Sequence, residues 1–136
     1  MKYKLTDETK LHNSVTLYRI QALKDFADVK AGDLGGWVES EKNLSQTGDS
    51  WVCDYAKVFG NAKVFNDAWI SDNAHVYGNA QVFGYARVSG NARVFGNARI
   101  YDKTYVYGDA EVYGTARVSG NAQVFGNARV YGKATP

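Results

Sequence analysis

The segment from 86 to 97 reads ARVSGNARVFGN, and this six-residue pattern decides the fold. The chain repeats the pattern without an insertion from Ser50 onward. The first position of the hexad is Ala at 13 of 15 sites between 50 and 134, and the third is Val or Ile at all 14 sites between 52 and 130. The fifth is Gly at 10 of 14 sites between 54 and 132. The unit small–x–aliphatic–x–Gly–Asn indicates a four-residue strand followed by a two-residue corner.

Alternation within the hexad places Ala and Val on one side of the chain and the two x residues on the other. The corners without glycine carry residue types that also tolerate a left-handed backbone. These corners are Asp54, Asn66, Asp72 and Asp102. Because the corners are identical and all turn the chain in the same direction, the chain closes into a coil. Three hexads form the three sides of one triangular turn of this coil. The sequence therefore predicts an all-β solenoid of about five stacked coils, with an interior of Ala, Val and Ile.

Residues 1–49 do not follow the hexad and are predicted to form an N-terminal cap, in the same domain as the repeats of residues 50–136. We expect strands at Lys2–Leu5 and Val15–Ala22, joined by a polar connection at Thr6–Ser14. The simplest interpretation of the cap is a β-hairpin and an irregular first coil that cover the upper strand edges of the solenoid.

The spacing of the hexads resembles that of the hexapeptide-repeat family, whose fold is the single-stranded left-handed parallel β-helix; the handedness comes from this resemblance. The cap is similar to that of the YdcK-like hexapeptide proteins of bacteria and their phages. The segments that carry this second resemblance are Asp25–Gly32, Gly35–Val38, Asn43–Gln46, Gly48 and Trp51, of which Gly35–Val38 lies outside the register of the later hexads. Such proteins are usually described as acyltransferases or left without a function, so the resemblance implies the fold and leaves the activity open.

The amino-acid composition limits the kinds of partner that we expect the protein to bind. The chain has 136 residues, with 16 Lys and Arg against 14 Asp and Glu, and this balance predicts no binding to duplex nucleic acid. No apolar run approaches the ~18 residues of a membrane span, and the N-terminal stretch does not resemble a signal peptide. The single cysteine, Cys53, suits a reducing compartment. We therefore expect a cytoplasmic protein without membrane contact, in the host cytoplasm if a phage encodes it.

Residues that are three hexads apart stack in columns, so each outward face of the predicted prism can be read from the sequence. The second face is distinctive because an unbroken aromatic column runs beside a mainly basic one. The aromatic column is Phe59, Tyr77, Phe95, Tyr113 and Tyr131, and the flanking column is Lys57, His75, Arg93, Glu111 and Arg129. Three interpretations stay open: a subunit interface, a ladder that stabilises the coils, and a groove that stacks a planar ligand and holds its phosphate with Arg93 and Arg129.

Acyl transfer is the enzymatic alternative that the resemblance implies. In the hexapeptide family acyl-CoA lies between adjacent coils and a histidine acts as general base, a role that would fall to His75. No hexad is interrupted by the inserted loop with which family enzymes shape the acceptor pocket, which argues against this alternative. His12 lies in the cap and could join a site. Two histidines do not make a three-histidine zinc site, so we predict no metal and no cofactor, with acetyl-CoA bound only by an acyltransferase.

The sequence as a whole favours a non-catalytic, oligomeric β-helix that binds a host protein or sequesters a small planar or phosphorylated ligand. The resemblance to phage proteins suggests that such a protein interferes with its host. The candidate binding residues all lie on the second face: Lys57, Phe59, His75, Tyr77, Arg93, Phe95, Tyr113, Arg129 and Tyr131. We expect self-association, either as a trimer through side faces or as a dimer through the C-terminal coils, after which only Ala134, Thr135 and Pro136 follow.

Overall fold

The computed structural model describes residues 1–132, and within that range the chain is an all-β solenoid with an N-terminal hairpin. The hairpin consists of β1 (Tyr3–His12) and β2 (Val15–Ala22). It is followed by β3 (Leu34–Val38) and by a short 3-10 helix, Glu41–Asn43, which leads into the repeats. In the part of the chain that the structure describes, no helix is long and apolar enough to cross a membrane.

Each described hexad contributes one two-residue strand, made of its second and third positions. In chain order these strands are β4 (Trp51–Val52), β5 (Lys57–Val58), β6 (Lys63–Val64), β7 (Trp69–Ile70), β8 (His75–Val76), β9 (Gln81–Val82), β10 (Arg87–Val88), β11 (Arg93–Val94), β12 (Arg99–Ile100), β13 (Tyr105–Val106), β14 (Glu111–Val112), β15 (Arg117–Val118), β16 (Gln123–Val124) and β17 (Arg129–Val130). The strands are shorter than the sequence predicts. The left-handed corner, for example Gly96 at φ +67°, bends the backbone at both ends of each side of the coil.

The coils stack into three parallel sheets, one for each face of the prism. The first face is β4-β7-β10-β13-β16, the second contains β5-β8-β11-β14-β17, and the third is β6-β9-β12-β15. Each strand pairs with its equivalents three hexads before and after it in the chain, so that Arg93 lies between His75 and Glu111. The predicted solenoid of about five coils and the assignment of residues to three faces are therefore confirmed.

The interior is a narrow stack of small aliphatic side chains. Ala92, Val94 and Ile100 are fully buried, and the same holds for the equivalent positions through most of the repeat. Backbone N–H groups of one coil donate to carbonyl groups of the next, as Arg93 N does to Ala110 O at 3.0 Å. The polar backbone is thus satisfied along the axis of the solenoid, while the apolar side chains meet across it.

The corners without glycine do more than tolerate a left-handed backbone. Asp102 has φ +60°, and its carboxylate accepts a hydrogen bond from the backbone N–H of Gly120, the corner one coil further on, at 2.9 Å. Asp72 makes the same bond to Gly90 at 3.0 Å. This charge-assisted bond between coils offsets the cost of the left-handed conformation in a residue that has a Cβ atom.

The hairpin is longer than the sequence predicts. The segment expected to be a polar connection, Thr6–Ser14, is mostly strand, because β1 continues to His12 and pairs with β2 up to His12 beside Val15. Only Asn13 and Ser14 form the turn, with φ +49° and +67°. Two consecutive left-handed residues are what a two-residue hairpin turn requires. Asp7, Glu8 and Thr9 in the middle of β1 are exposed to solvent, which is why this stretch has a composition typical of a loop.

The strand β3 joins the second face and begins the irregular first coil. Trp37 pairs with Lys57 and Val38 with Val58, so this coil is longer than the three hexads of the later coils. Its additional residues lie between the inward side chains of Leu44 and Val52. Gly35–Val38 is therefore out of register with the hexads in sequence but stacked on them in space, and the predicted irregular first coil is confirmed.

The expectation of association through the C-terminal coils depends on Ala134, Thr135 and Pro136, which lie outside the described residues. The boundary between cap and repeats at residues 49 and 50 stays a prediction.

Candidate functional site on the second face

The aromatic column of the second face is a continuous ladder of parallel rings. The ring centroids of Phe59, Tyr77, Phe95 and Tyr113 are 5.0 Å apart, with interplanar angles of 4°, and Tyr131 follows at 5.1 Å. Each ring in the middle of the ladder packs against the rings of the two adjacent coils. The ladder therefore presents mainly ring edges to solvent, and ring edges carry positive partial charge.

The ladder is not exposed along its whole length, in contrast to the expectation from the sequence. Phe59 is only 8% exposed because Leu17 and Trp37 of the cap pack against it. Tyr77 and Tyr113 are half-buried, and Tyr131 is 62% exposed. The exposed part of the second face thus begins where the hairpin ends.

The hairpin brings His12 onto this boundary. Its ring lies edge-on to Phe59, with centroids 5.4 Å apart, and edge-on to His75, with centroids 5.1 Å apart. Sequence reasoning left His12 as a residue that could join a site, and the structure places it beside His75. The hexad periodicity carries no information about this contact, because it depends on the length of β1 and on the pairing of β2 with β3.

A depression of about 370 Å³ opens at this contact. Its lining combines the hairpin turn with three successive coils of the second face: His12, Asn13, Phe59, His75, Tyr77 and Arg93. Four of the nine residues predicted for the site meet here. Arg129 lies on β17, two coils from Arg93, and its Nε is 3.9 Å from Glu111 Oε1. The structure therefore does not bring Arg93 and Arg129 to one point.

The electrostatics of the depression favour neutral imidazoles. Burial, followed by the charges of Lys57, His12 and Arg93, lowers the pKa of His75 to about 4. The pKa of His12 is also lowered, first by burial and then by Lys57, Lys10 and Arg93. Both rings are therefore uncharged at neutral pH, and the positive charge of the site comes from the lysines and Arg93.

The tautomer of His12 follows from its neighbour. Asn13 Nδ2 lies 3.3 Å from His12 Nε2, and since an amide nitrogen only donates, Nε2 is the acceptor. The neutral His12 ring then carries its proton on Nδ1. No group of three or more potential metal ligands occurs among residues 1–132. The lining thus offers ring N–H groups, a guanidinium and a phenol, a set of donors suited to an anion.

Cys53 does not contribute reactive chemistry elsewhere on the solenoid. Burial, followed by the charge of Asp54, raises the pKa of its thiol to about 12. A thiol that stays protonated at neutral pH is a poor nucleophile.

The lowered pKa of His75 predicts a loss of stability in acid. The unfolded chain takes up a proton on this residue near pH 6.5, whereas the folded chain resists protonation down to about pH 4. The unfolded state therefore binds more protons between these values, and the free energy of unfolding falls as the pH falls. We expect about 1 kcal/mol of this loss to disappear in His75→Gln, measured by urea unfolding at pH 7 and pH 4.5. Identical pH dependence of the variant and the original chain would contradict this origin.

The structure is thus a single-stranded parallel β-helix that is capped by a β-hairpin. Its candidate ligand site lies on the second face, where the hairpin meets the aromatic ladder. The model of the YdcK β-solenoid repeat matches residues 86–102 and 122–135. The chain is also 38% identical over 72 residues to a protein of Escherichia coli (strain K12) named "Uncharacterized acetyltransferase YdcK". The resemblance to YdcK-like β-solenoid proteins that was seen in the sequence is thus confirmed. The match covers 46% of this chain and 22% of the relative.

Proposed function

We propose that this protein is a non-catalytic binding protein that sequesters a small, planar, anionic ligand on its second face. The observation that carries the proposal is the depression beneath the hairpin, where aromatic rings and positive charge meet on one surface. Its walls include the rings of Phe59, His75, Tyr77 and His12, whose edges can pack against the face of a flat ligand. Arg93 and Lys57 supply the charge that suits an anion.

Ring stacking is not confined to the second face. Phe65, Phe83 and Tyr101 stack on the third face at 4.8 and 5.0 Å, much as on the second face. Stacking at the coil spacing stabilises neighbouring strands wherever it occurs. The combination with His12 and the hairpin turn belongs to the second face.

The third face also supplies a matched control. Tyr77→Leu and Phe83→Leu each remove the second ring of a ladder, so their costs in stability are expected to be similar. With 1-naphthyl phosphate as the probe, we expect fluorescence titrations to show binding by the original chain and by Phe83→Leu. Tyr77→Leu should bind at least about tenfold more weakly, because a ring in the wall of the site is lost. Equal binding by the two variants, or no binding by the original chain, would overturn the proposal.

The same protein in native mass spectrometry tests self-association and retention of a ligand. A trimer would fit packing through side faces, and a dimer would fit packing through the ends of the solenoid. A co-purified small mass that is retained by Phe83→Leu and lost from Tyr77→Leu would support sequestration. A stoichiometric protein partner seated on the second face would instead support a role in binding a host protein.

Acyl transfer is the second candidate, because the chain is similar to a relative named as an acetyltransferase and places two neutral imidazoles in the depression. The pKa of His75 argues against acyl transfer. A general base works best with a pKa near the working pH, and that of His75 is about 4. Uptake of acetyl-CoA with turnover that is lost in His75→Ala would establish this candidate in place of the binding function.

A further inference from the structure

Basic residues follow one another on the second face in three successive coils. Lys57, His75 and Arg93 are register neighbours on β5, β8 and β11. Like charges directly opposite each other on adjacent strands destabilise a sheet. No carboxylate lines the depression among residues 1–132. The next residue of the column is Glu111, which lies within 3.9 Å of Arg129. The charge of the site is thus left unbalanced by the described part of the chain.

The hairpin adds to this imbalance where it covers the face. Lys10 and His12 approach from β1, and the pKa of Lys57 is lowered by burial and by the charge of Lys10. The side chain of Arg93 makes no hydrogen bond and no ion pair within residues 1–132, and it is exposed. A guanidinium that borders a depression without a partner is available for an oxyanion, which it can bind through two parallel hydrogen bonds.

We propose that the depression is a seat for a tetrahedral dianion, such as the phosphate of a monoester, and that its binding is coupled to protonation of His12 and His75. This inference rests on the proposed function, since it names the charged part of the ligand held at the same site. Arg93 and the Nδ1–H group of His12 are the first donors. The remaining titratable groups that face the rings are Lys10, Lys57 and the Tyr77 phenol, with Glu111 one coil beyond Arg93.

The coupling follows because a bound dianion reverses the sign of the electrostatic potential at the two imidazole rings. In the empty site burial, together with the charges of the neighbouring cations, holds both rings neutral. A bound dianion places two negative charges against the same rings, so that their charged forms become favourable and protons are taken up. Protonation of His12 at Nε2 costs the hydrogen bond from Asn13, which a rotation of the amide restores by presenting its oxygen. Affinity for a dianion that does not itself titrate, such as sulfate, should therefore rise as the pH falls from 6 to 4, the range in which His75 takes up its proton.

A pair of imidazoles also suggests a transition-metal site, and the surroundings decide against it. The described residues offer no third ligand at the depression. The charges of Lys57 and Arg93 repel a metal cation, whereas they attract an oxyanion.

The chain has only two histidines, so the pKa of each ring can be followed through its Cε1–H signal in NMR titrations. The probe is inorganic sulfate, a dianion that does not itself titrate in this range, compared with chloride at equal ionic strength. We expect sulfate to raise the pKa of both rings, by about one unit at saturation. The signal that disappears in His75→Gln belongs to His75, and the one that remains belongs to His12.

Arg93→Gln should abolish most of this rise, whereas Arg99→Gln, at the same hexad position on the third face, should leave it unchanged. Equal pKa values in sulfate and chloride, or equal responses of the two variants, would overturn the inference.

Comparison of 1-naphthol with 1-naphthyl phosphate separates this inference from the proposed function. If both bind equally and depend on Tyr77, the planar ligand site stands and the dianion seat fails. If sulfate acts through Arg93 while Tyr77→Leu binds the naphthyl compounds unchanged, the seat stands and the planar ligand site fails.

Discussion

Replacement of Ile100 by aspartate is expected to abolish the cooperative folding of the solenoid, whereas the same replacement at Arg99 should leave the chain at least as stable. Ile100 is fully buried and lies between Val82 and Val118 of the adjacent coils. An aspartate there loses the apolar contacts and places a carboxylate where no donor can reach it. The cost is more than about 4 kcal/mol, a large part of the stability of a small domain.

Arg99 is the matched control because it is the adjacent residue of the same strand and points outward. Its register neighbours are Gln81 and Arg117, so the original chain holds two like charges on adjacent coils. An aspartate in this place attracts Arg117, and the expected change is a gain of about 0.2–1 kcal/mol. Urea unfolding followed by circular dichroism measures both variants. A cooperative transition in Ile100→Asp close to that of the original chain would show that the interior admits water.

Among residues 1–132 the interior already contains one polar side-chain atom without a hydrogen-bond partner, which gives a cost to compare with that of a buried carboxylate. Thr104 replaces alanine at a first hexad position and is fully buried, and its hydroxyl lacks a hydrogen-bond partner among residues 1–132. An unpaired hydroxyl costs about 1–3 kcal/mol, and the solenoid is folded in spite of it. A carboxylate at Ile100 exceeds this cost because charge as well as hydrogen-bonding capacity is buried.

The repeats were predictable from the sequence because each hexad position has one physical role. Position three is buried in every hexad from Val52 to Val124, and position five turns the chain, so the same geometry is repeated by fourteen aliphatic residues and ten glycines. The hydrogen bonds of Asp72 and Asp102 to the next corner were not predictable in this way. A left-handed backbone explains aspartate at a corner by itself, and only the coordinates show that the carboxylate also bonds to the adjacent coil.

The candidate site was predictable only in the part that lies on the repeats. The stacking of Tyr77 beside His75 and Arg93 follows from the three-hexad period of the coils. The approach of His12 does not, because His12 lies far from His75 in the sequence and no periodicity relates them. It results from the two-residue turn at Asn13 and Ser14, which keeps β1 extended far enough to reach the second face. The hairpin thus caps the solenoid and completes the depression.

A buried lysine just before β1, Lys2, is expected to hold the cap in place. Lys2 is fully buried, and its ammonium donates to Ser50 O at 2.7 Å, to Ser50 Oγ at 3.2 Å and to Gly48 O at 3.4 Å. In the next coil, the carbonyl equivalent to that of Ser50 belongs to Ala68 and accepts from the N–H of Trp51. Lys2 therefore donates to the carbonyl group of Ser50 in the first coil, whereas in the later coils a backbone N–H group of the preceding coil donates to the equivalent carbonyl group.

Lys2→Met should lower the free energy of unfolding by about 2 kcal/mol, because methionine fills a similar volume and leaves these oxygens without the ammonium. Lys4→Met is the control. Lys4 lies two residues further along, in β1, and is exposed, so its replacement is expected to change stability by less than about 0.5 kcal/mol. Urea unfolding at pH 7 measures both changes. A Lys2→Met variant as stable as the original chain would show that the desolvation of the charge cancels its hydrogen bonds.

The dependence on pH tests the same contact with a definite sign. Burial lowers the pKa of Lys2 to about 8, against 10.5 in the unfolded chain. Between these values the unfolded state binds more protons, so the contribution of Lys2 to stability grows as the pH rises. Burial raises the pKa values of Tyr3 and Cys53, and their effects oppose this trend, but they are common to both proteins. The stability difference between the original chain and Lys2→Met should therefore widen by about 1 kcal/mol from pH 7 to pH 9. A difference that narrows over this range would mean that the folded cap binds the charged lysine more tightly than water does.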